Sequence, residues 1–318
     1  MHFDYPTILK QILDELRSFQ PFIVLPTPGN AGDALINCTT YQLLRRMGIA
    51  FEILPGNCDP ATTRNRVVLF ATAGNLIPHY TDAQSFIAAH HAGARKLILL
   101  PGTIRKCDHL LAQLGNNVVV MCRDRKSYDY VARAATGGAS VVSTDDSALS
   151  LDPVELLESN ASLAAYLAHQ RRRSNYHLRL ALSDAVRWYW LLIAHSIKRR
   201  QRRQHLIAIF RNDVEKTTAP PADNVDISAY LEGGDMSEMG ARITSYRFLK
   251  FLSLFDEIHT NRLHAAIGGL ILGKRVHLFD NSYGKNEAIY WHSLHSRYPG
   301  RVSLHTADER AELLTNTI

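Results

Sequence analysis

The segment Thr260-Asn-Arg-Leu-His264 stands between a short strand-like run, Glu257–His259, and the almost wholly apolar stretch that follows it to Leu272. A buried helix has little use for Arg262 and His264 at its start unless they face a cleft, because burying such groups unpaired is costly. There they add a positive charge and a titratable imidazole to a helix terminus that already favours anions. The chemistry expected is binding of an anion with proton transfer beside it. Arg211 leaves a second apolar run, His205–Phe210, and its planar fork suits a carboxylate or phosphate, or else an ion pair with Asp213 or Glu215. After a third run comes Asp280-Asn-Ser-Tyr-Gly-Lys-Asn286, which reads either as an ordinary turn or as a loop carrying an aromatic face, Tyr283, and an ammonium, Lys285.

A fourth segment, Pro28-Gly-Asn-Ala-Gly-Asp-Ala-Leu-Ile36, follows an apolar run and opens a helical pattern. Gly29 and Gly32 permit close approach of a ligand, and the helix start offers N–H groups to an anion. Asp33 at that mouth reads as a general base or as a cap. The dinucleotide fingerprint G-x-G-x-x-G is absent, so no nicotinamide cofactor is expected. Cys38, Cys58, Cys107 and Cys122 lie far apart without metal-ligand spacing, which predicts free thiols rather than disulfides or a zinc site.

The elements that position these segments are legible as alternating patterns. Short runs rich in Val, Ile and Leu at Phe22–Pro26, Phe51–Leu54, Val67–Phe70, Lys96–Leu100, Val118–Met121 and Ser140–Val142 alternate with helical stretches such as Asp33–Met47, Asp82–His91 and Ser127–Ala135. That alternation predicts a parallel sheet covered by helices. From Pro153 to about Arg203 the strand pattern vanishes and long helices are predicted. It returns at His205–Phe210, Glu257–His259 and Arg275–Phe279, with helices near Glu238–Leu254 and Arg262–Leu272. The expected fold class is α/β: two Rossmann-like lobes with parallel sheets joined by long helices, similar to the two-lobed architecture called GT-B. The expected boundaries are 1–165 for an N-terminal acceptor-side lobe, 166–204 for a basic helical linker and 205–318 for a C-terminal donor-side lobe.

The formal net charge of the 318 residues is +6, but it is not spread evenly. Residues 171–203 hold ten Lys and Arg against one acid, Asp184, so the rest of the chain is net acidic. No nucleic-acid reading motif accompanies that charge, which argues against a nucleic-acid partner. The run Val186–Ile197 is too short and interrupted for a membrane span, which needs about 20 apolar residues. Two placements remain for it: on an anionic membrane surface with Trp188 or Trp190 at the interface, or packed between the lobes with only the arginines wet. The first residues have no basic segment followed by an apolar one. The expectation is therefore a cytoplasmic protein, with peripheral attachment to the inner face of the membrane if the basic helix docks there.

Taken together and in order, Gly29-Asn-Ala-Gly-Asp33, Leu99-Leu-Pro-Gly-Thr-Ile104, Cys122-Arg-Asp-Arg-Lys-Ser-Tyr128, Phe210-Arg211, Thr260-Asn-Arg-Leu-His264 and Leu278-Phe-Asp-Asn-Ser-Tyr-Gly-Lys285 resemble the polysaccharide pyruvyl transferase family over most of the chain. The resemblance implies transfer of pyruvate from phosphoenolpyruvate to a sugar as a cyclic ketal. It implies no cofactor beyond this co-substrate, and no metal. It places the donor against Arg211, Arg262, the Leu263 backbone, His264, Asn281, Ser282, Tyr283 and Lys285. The sugar, expected to be lipid-linked, would lie near Gly29, Asn30, Gly32, Asp33, Gly74 and Asn75. His264 would be the general acid and Asp33 the acceptor of a hydroxyl proton. One departure bears on the acceptor: where many relatives have a run of glycines, this chain has Ala71-Thr-Ala-Gly-Asn75. The rival reading is a GT-B glycosyltransferase with a nucleotide-sugar donor, against which stands the lack of a carboxylate for ribose hydroxyls in the Arg262–His264 elbow.

Overall fold

The computed structural model describes residues 2–78, 80–158, 163–202, 205–213, 220–221, 223–231, 235–306 and 309. Two compact units emerge from the contacts. The first comprises 1–28, 36–151 and 288–296; the second comprises 29–35, 152–287 and 297–318. This partition differs from boundaries drawn at 165 and 204. The helices Leu163–Arg173 and Asn175–Arg202 count with the second unit, because they pack on its helix Glu238–Leu252 rather than standing as a separate linker. The segment 29–35 also counts with the second unit, although it follows the first strand pattern of the other.

The first unit is built on a seven-stranded parallel sheet. Its strands are β1 (His2–Phe3), β2 (Phe22–Leu25), β3 (Phe51–Ile53), β4 (Val67–Phe70), β5 (Lys96–Gly102), β6 (Val118–Cys122) and β7 (Ser140–Thr144), in the order β1-β7-β6-β5-β4-β2-β3. Every residue of β2, β4 and β6 is buried, as a strand covered on both faces requires. Their side chains pack with Phe86 and Ile87 of helix Asp82–His90, Leu110 and Leu111 of helix Asp108–Gln113, and Val131 of helix Arg125–Ala134. The strand order reverses between β2 and β4. At such a point the loops beyond the carboxyl ends diverge and leave a crevice. Thr27, Thr72 and Asn75 stand there, with Asn75 Nδ2 donating to Thr27 Oγ1 at 2.9 Å and the Asn75 N–H to the Thr72 carbonyl at 2.9 Å.

The second unit carries four parallel strands, β8 (Leu206–Ile209), β9 (Glu257–Thr260), β10 (Arg275–Phe279) and β11 (Val302–His305), in the order β11-β10-β9-β8. The helix Leu263–Ile271 lies close on one face of this sheet. A Cβ at Gly269 would meet Ile258 Cδ1 at 2.7 Å and Val276 Cγ2 at 3.1 Å, and one at Gly268 would meet Leu252 of helix Glu238–Leu252 at 2.8 Å. Glycine at both positions lets the helix settle between sheet and neighbouring helix. Because strand side chains alternate, the other face of the sheet carries Glu257, His259, His277, Phe279, Ser303 and His305. Burial pushes His277 down to about 4, with His259 adding to the effect, and burial also lowers His259 and His305, so these imidazoles are neutral at physiological pH.

The two parallel sheets agree with the α/β, Rossmann-like expectation. On the long helix Asn175–Arg202 the two tryptophans part company. Trp188 is buried with Ala181 and Ala185 and lies beside Tyr246, while the Arg247 guanidinium stands 5.8 Å from its ring centroid. Trp190 is 69% exposed, and Leu180, Val186, Ile193 and Ile197 are exposed with it, among the exposed Arg179, Arg187 and Lys198. Among the described residues no helix is long and apolar enough to cross a membrane.

Candidate active site

The ends of three adjacent strands of the second unit build the site. Thr260 closes β9: its hydroxyl donates to the Ile209 carbonyl of β8 at 2.6 Å and accepts the Arg262 N–H at 2.9 Å, which turns the chain into the helix Leu263–Ile271. Asn261 Oδ1 accepts the Arg211 N–H at 2.8 Å. Asn286 Nδ2 donates to the carbonyls of Asn261 and Phe279, each at 2.8 Å, and so ties the β9 elbow to the loop after β10. Within that loop Asn281 Oδ1 accepts the Lys285 N–H at 2.8 Å. Buried amide side chains thus satisfy the backbone groups that parallel strands leave open at their ends.

Arg211 and Arg262 emerge from this scaffold with their side chains nearly buried. Arg211 grips Asp213 in bidentate fashion, Nε to Oδ1 at 2.7 Å and Nη2 to Oδ2 at 3.0 Å. Arg262 grips Asp226, Nε to Oδ1 at 3.1 Å and Nη2 to Oδ2 at 2.5 Å, and its Nη1 reaches Asp213 Oδ2 at 3.1 Å. Of the two ion-pair partners considered for Arg211, Asp213 takes that place, while Glu215 lies outside the described residues. One carboxylate oxygen therefore sits between two guanidiniums that come from different strand ends. The arrangement is a ready-made seat for a carboxylate or phosphate oxygen, and Asp213, 39% exposed, holds it.

The segment 29–35 meets the elbow at His264. Asn30 Oδ1 accepts the Gly32 N–H at 2.8 Å and Asp33 Oδ2 accepts the Asn30 N–H at 3.0 Å, a reciprocal cap on helix Ala31–Arg46. Asp33 thus serves as a cap, with its half-buried carboxylate still at the helix mouth. A Cβ at Gly32 would stand 2.3 Å from His264 Nδ1, so glycine is what lets the half-buried imidazole lie against the first turn of this helix. Asp33 and His264 are thereby brought into one neighbourhood.

Not every candidate converges there. Leu263 is buried in the first turn of its helix, Ser282 is exposed, and Tyr283 is half-buried with the Lys285 ammonium 5.4 Å from its ring centroid. Gly74 and Asn75 belong to the first unit, at the strand-order reversal described above. Asp226, Asn261 and Asn286 were missed as site residues. Asn261 lay within the elbow motif, but its bond to the Arg211 backbone spans 50 residues, and the Asp226–Arg262 pair spans 36. No local spacing announces such partners.

The family model described as polysaccharide pyruvyl transferase matches residues 30–283 of this chain. No curated protein matches it. Among solved structures, the crystal structure of a functionally uncharacterised protein from Klebsiella pneumoniae subsp. pneumoniae NTUH-K2044 is similar, at 25% sequence identity, covering 96% of this chain and 100% of that one with a TM-score of 0.71.

Proposed function

Because the chain belongs to the polysaccharide pyruvyl transferase family, we propose that it moves the enolpyruvyl group of phosphoenolpyruvate onto a sugar of an exopolysaccharide, capsule or cell-wall glycan precursor. The product is a cyclic ketal and inorganic phosphate. The observation that carries this reading is the convergence of Arg211 and Arg262 on one carboxylate, that of Asp213. A donor with both a carboxylate and a phosphate presents two anionic groups to two guanidiniums, and its oxygen takes the seat that the Asp213 side chain holds here.

The chemistry follows from what the donor needs. C3 of the enol gains a proton, C2 accepts one sugar hydroxyl and loses phosphate, and a second hydroxyl of the same sugar closes the ketal. Of the two hydroxyl protons, one balances the proton added at C3 and the other leaves with phosphate. His264 is assigned as the acid at C3, and Asp33 as the group that takes a hydroxyl proton. Arg211 and Arg262 stabilise charge on the departing phosphate, with Asn281, Ser282, Tyr283 and Lys285 completing the donor side. Gly29, Asn30, Gly32, Gly74 and Asn75 are assigned to the sugar. This scheme routes no step through a metal or a further cofactor.

Incubation with phosphoenolpyruvate and a panel of lipid-linked or aryl glycosides should yield, by mass spectrometry, a glycoside carrying one ketal-linked pyruvate for each phosphate released. Arg211→Ala and Arg262→Ala should each raise the donor concentration for half-maximal rate by roughly 10–100-fold, the loss of a charge-assisted pair. An unchanged donor titration in both variants would remove the clamp. Consumption of a nucleotide sugar without pyruvyl transfer would replace the proposal with the glycosyltransferase reading.

The exposed face of helix Asn175–Arg202 supports a membrane-proximal acceptor. Trp190, Val186, Ile193 and Ile197 are exposed together with Arg187 and Lys198, the pattern of a helix that lies on an anionic lipid surface. A chain docked in this way would sit on the inner face of the membrane, beside a lipid-linked sugar. Flotation with anionic vesicles should carry the protein upward at low salt and release it at high salt, and Trp190→Ser should weaken the association. Equal recovery with neutral and anionic vesicles would refute the docking.

A further inference from the structure

The face of the second sheet opposite helix Leu263–Ile271 gathers four residues from three strands: Glu257 and His259 of β9, His277 of β10 and His305 of β11. Parallel pairing sets His259 directly beside His277. Both imidazoles turn their Nε2 atoms to the same carboxylate oxygen: Glu257 Oε1 is 3.0 Å from His259 Nε2 and 3.3 Å from His277 Nε2. One ligand atom from each of the three residues falls within 4.8 Å of the others. A tetrahedral zinc ion with bonds of about 2.0–2.1 Å needs ligand atoms about 3.3 Å apart, so two of the three separations already match or nearly match.

Two of the three groups, His277 and Glu257, have orienting partners of the kind that metal ligands use. His277 Nδ1 lies 2.9 Å from His305 Nε2 and 3.2 Å from Ser303 Oγ, which leaves its Nε2 lone pair for a cation when Nδ1 carries the proton. The Arg275 guanidinium holds the other oxygen of Glu257 at 3.2 Å and so fixes the carboxylate. His259 is 1% exposed. The borderline-soft imidazoles and the single carboxylate suit zinc better than magnesium or calcium, which prefer oxygen alone.

We propose that Glu257, His259 and His277 form a zinc site on this sheet face, with His305 orienting His277 from behind. The site stands apart from the proposed donor chemistry and does not depend on it. A bound ion would clamp β9 to β10 just before Thr260, where β9 delivers Arg262 and His264. It therefore acts on the rigidity of the elbow rather than on a reacting atom. The cysteine spacing gave no sign of zinc, and the ligands proposed here are of another kind, brought together only by strand pairing.

The test is zinc titration of the full chain against a chromophoric competitor, with cobalt(II) absorption as a second readout. Wild-type protein should take up one zinc per chain above the weak background of its other histidines, and cobalt should show tetrahedral ligand-field bands. His277→Ala and Glu257→Gln should abolish that stoichiometric binding, while His305→Ala should weaken it roughly 10–100-fold, as removal of an orienting partner does. The unfolding temperature should rise with free zinc in wild type and stay level in His277→Ala. Far-UV circular dichroism checks that each variant folds, and His277→Asn stands in if alanine does not. Equal zinc uptake by wild type and by folded Glu257→Gln and His277→Ala variants, or no uptake above background, would overturn the proposal.

Discussion

His264→Ala is expected to lower turnover by roughly 10²–10⁴-fold, the usual worth of a positioned general acid, while leaving the fold intact. The imidazole is half-buried rather than a core side chain, so its removal leaves the packing of helix Leu263–Ile271 largely in place. Single-turnover measurement with saturating phosphoenolpyruvate separates this loss from a loss of donor binding. Gly32→Ala probes the same imidazole from the other side. Its added methyl would sit 2.3 Å from His264 Nδ1 and must displace the ring, so turnover should fall although no titratable group is replaced. Asp33→Asn keeps an oxygen for the Asn30 N–H and should fall less than His264→Ala. Turnover like wild type in a folded His264→Ala protein would end the assignment.

Fold and site were legible to different depths, for a physical reason. Strands such as Val67–Phe70 and Val118–Cys122 announce themselves because a strand buried on both faces must be apolar throughout. The edge strand Val302–His305 escaped notice: a half-buried strand that alternates Val, Ser, Leu and His looks like a loop. Strand β1 is two residues long and has no pattern to read. The unit boundaries depend on which helices pack together, and packing partners are not written in local periodicity.

The site shows the same division. Thr260–His264 could be found because two polar residues at the mouth of an apolar helix are costly without a reason, and both then proved to sit at a strand end. Of the two readings the sequence left open at Arg211, a ligand clamp or an ion pair, the geometry shows the ion pair, with Asp213 in the seat proposed for the donor. Asp226 was beyond reach because its partner lies 36 residues away. Glu257, His259, His277 and His305 lie far apart in the chain, and only pairing across β9, β10 and β11 reveals that they share one face.

The motif Cys122–Tyr128 has a structural role that predicts the largest effect on stability. Asp124 caps helix Arg125–Ala134, accepting the Ser127 N–H at 2.7 Å, and Arg123 runs into the core of the first unit, where Nη1 meets Asp146 Oδ2 at 2.7 Å and Nε donates to Thr103 Oγ1 at 3.1 Å. Both partners are sealed from solvent, at 1% and 0% exposure. Asp146→Ala should therefore cost about 3–5 kcal/mol, less for the lost attraction than for the guanidinium left buried without its counter-charge. That corresponds to a fall of about 10 °C or more in the unfolding midpoint. Arg123→Met added to Asp146→Ala should recover part of the loss, because the double variant buries no charge. The exposed pair Arg125–Asp129 supplies the scale: Asp129→Ala should leave the unfolding midpoint nearly unchanged. Equal midpoints for Asp146→Ala and Asp129→Ala would refute the argument. A Cβ at Gly74 would lie 3.5 Å from Arg123 Nη2, so the buried pair also underlies the Ala71–Asn75 loop. Loosening that pair should raise the acceptor KM more than the donor KM, a split that separates a disturbed sugar-binding loop from general unfolding.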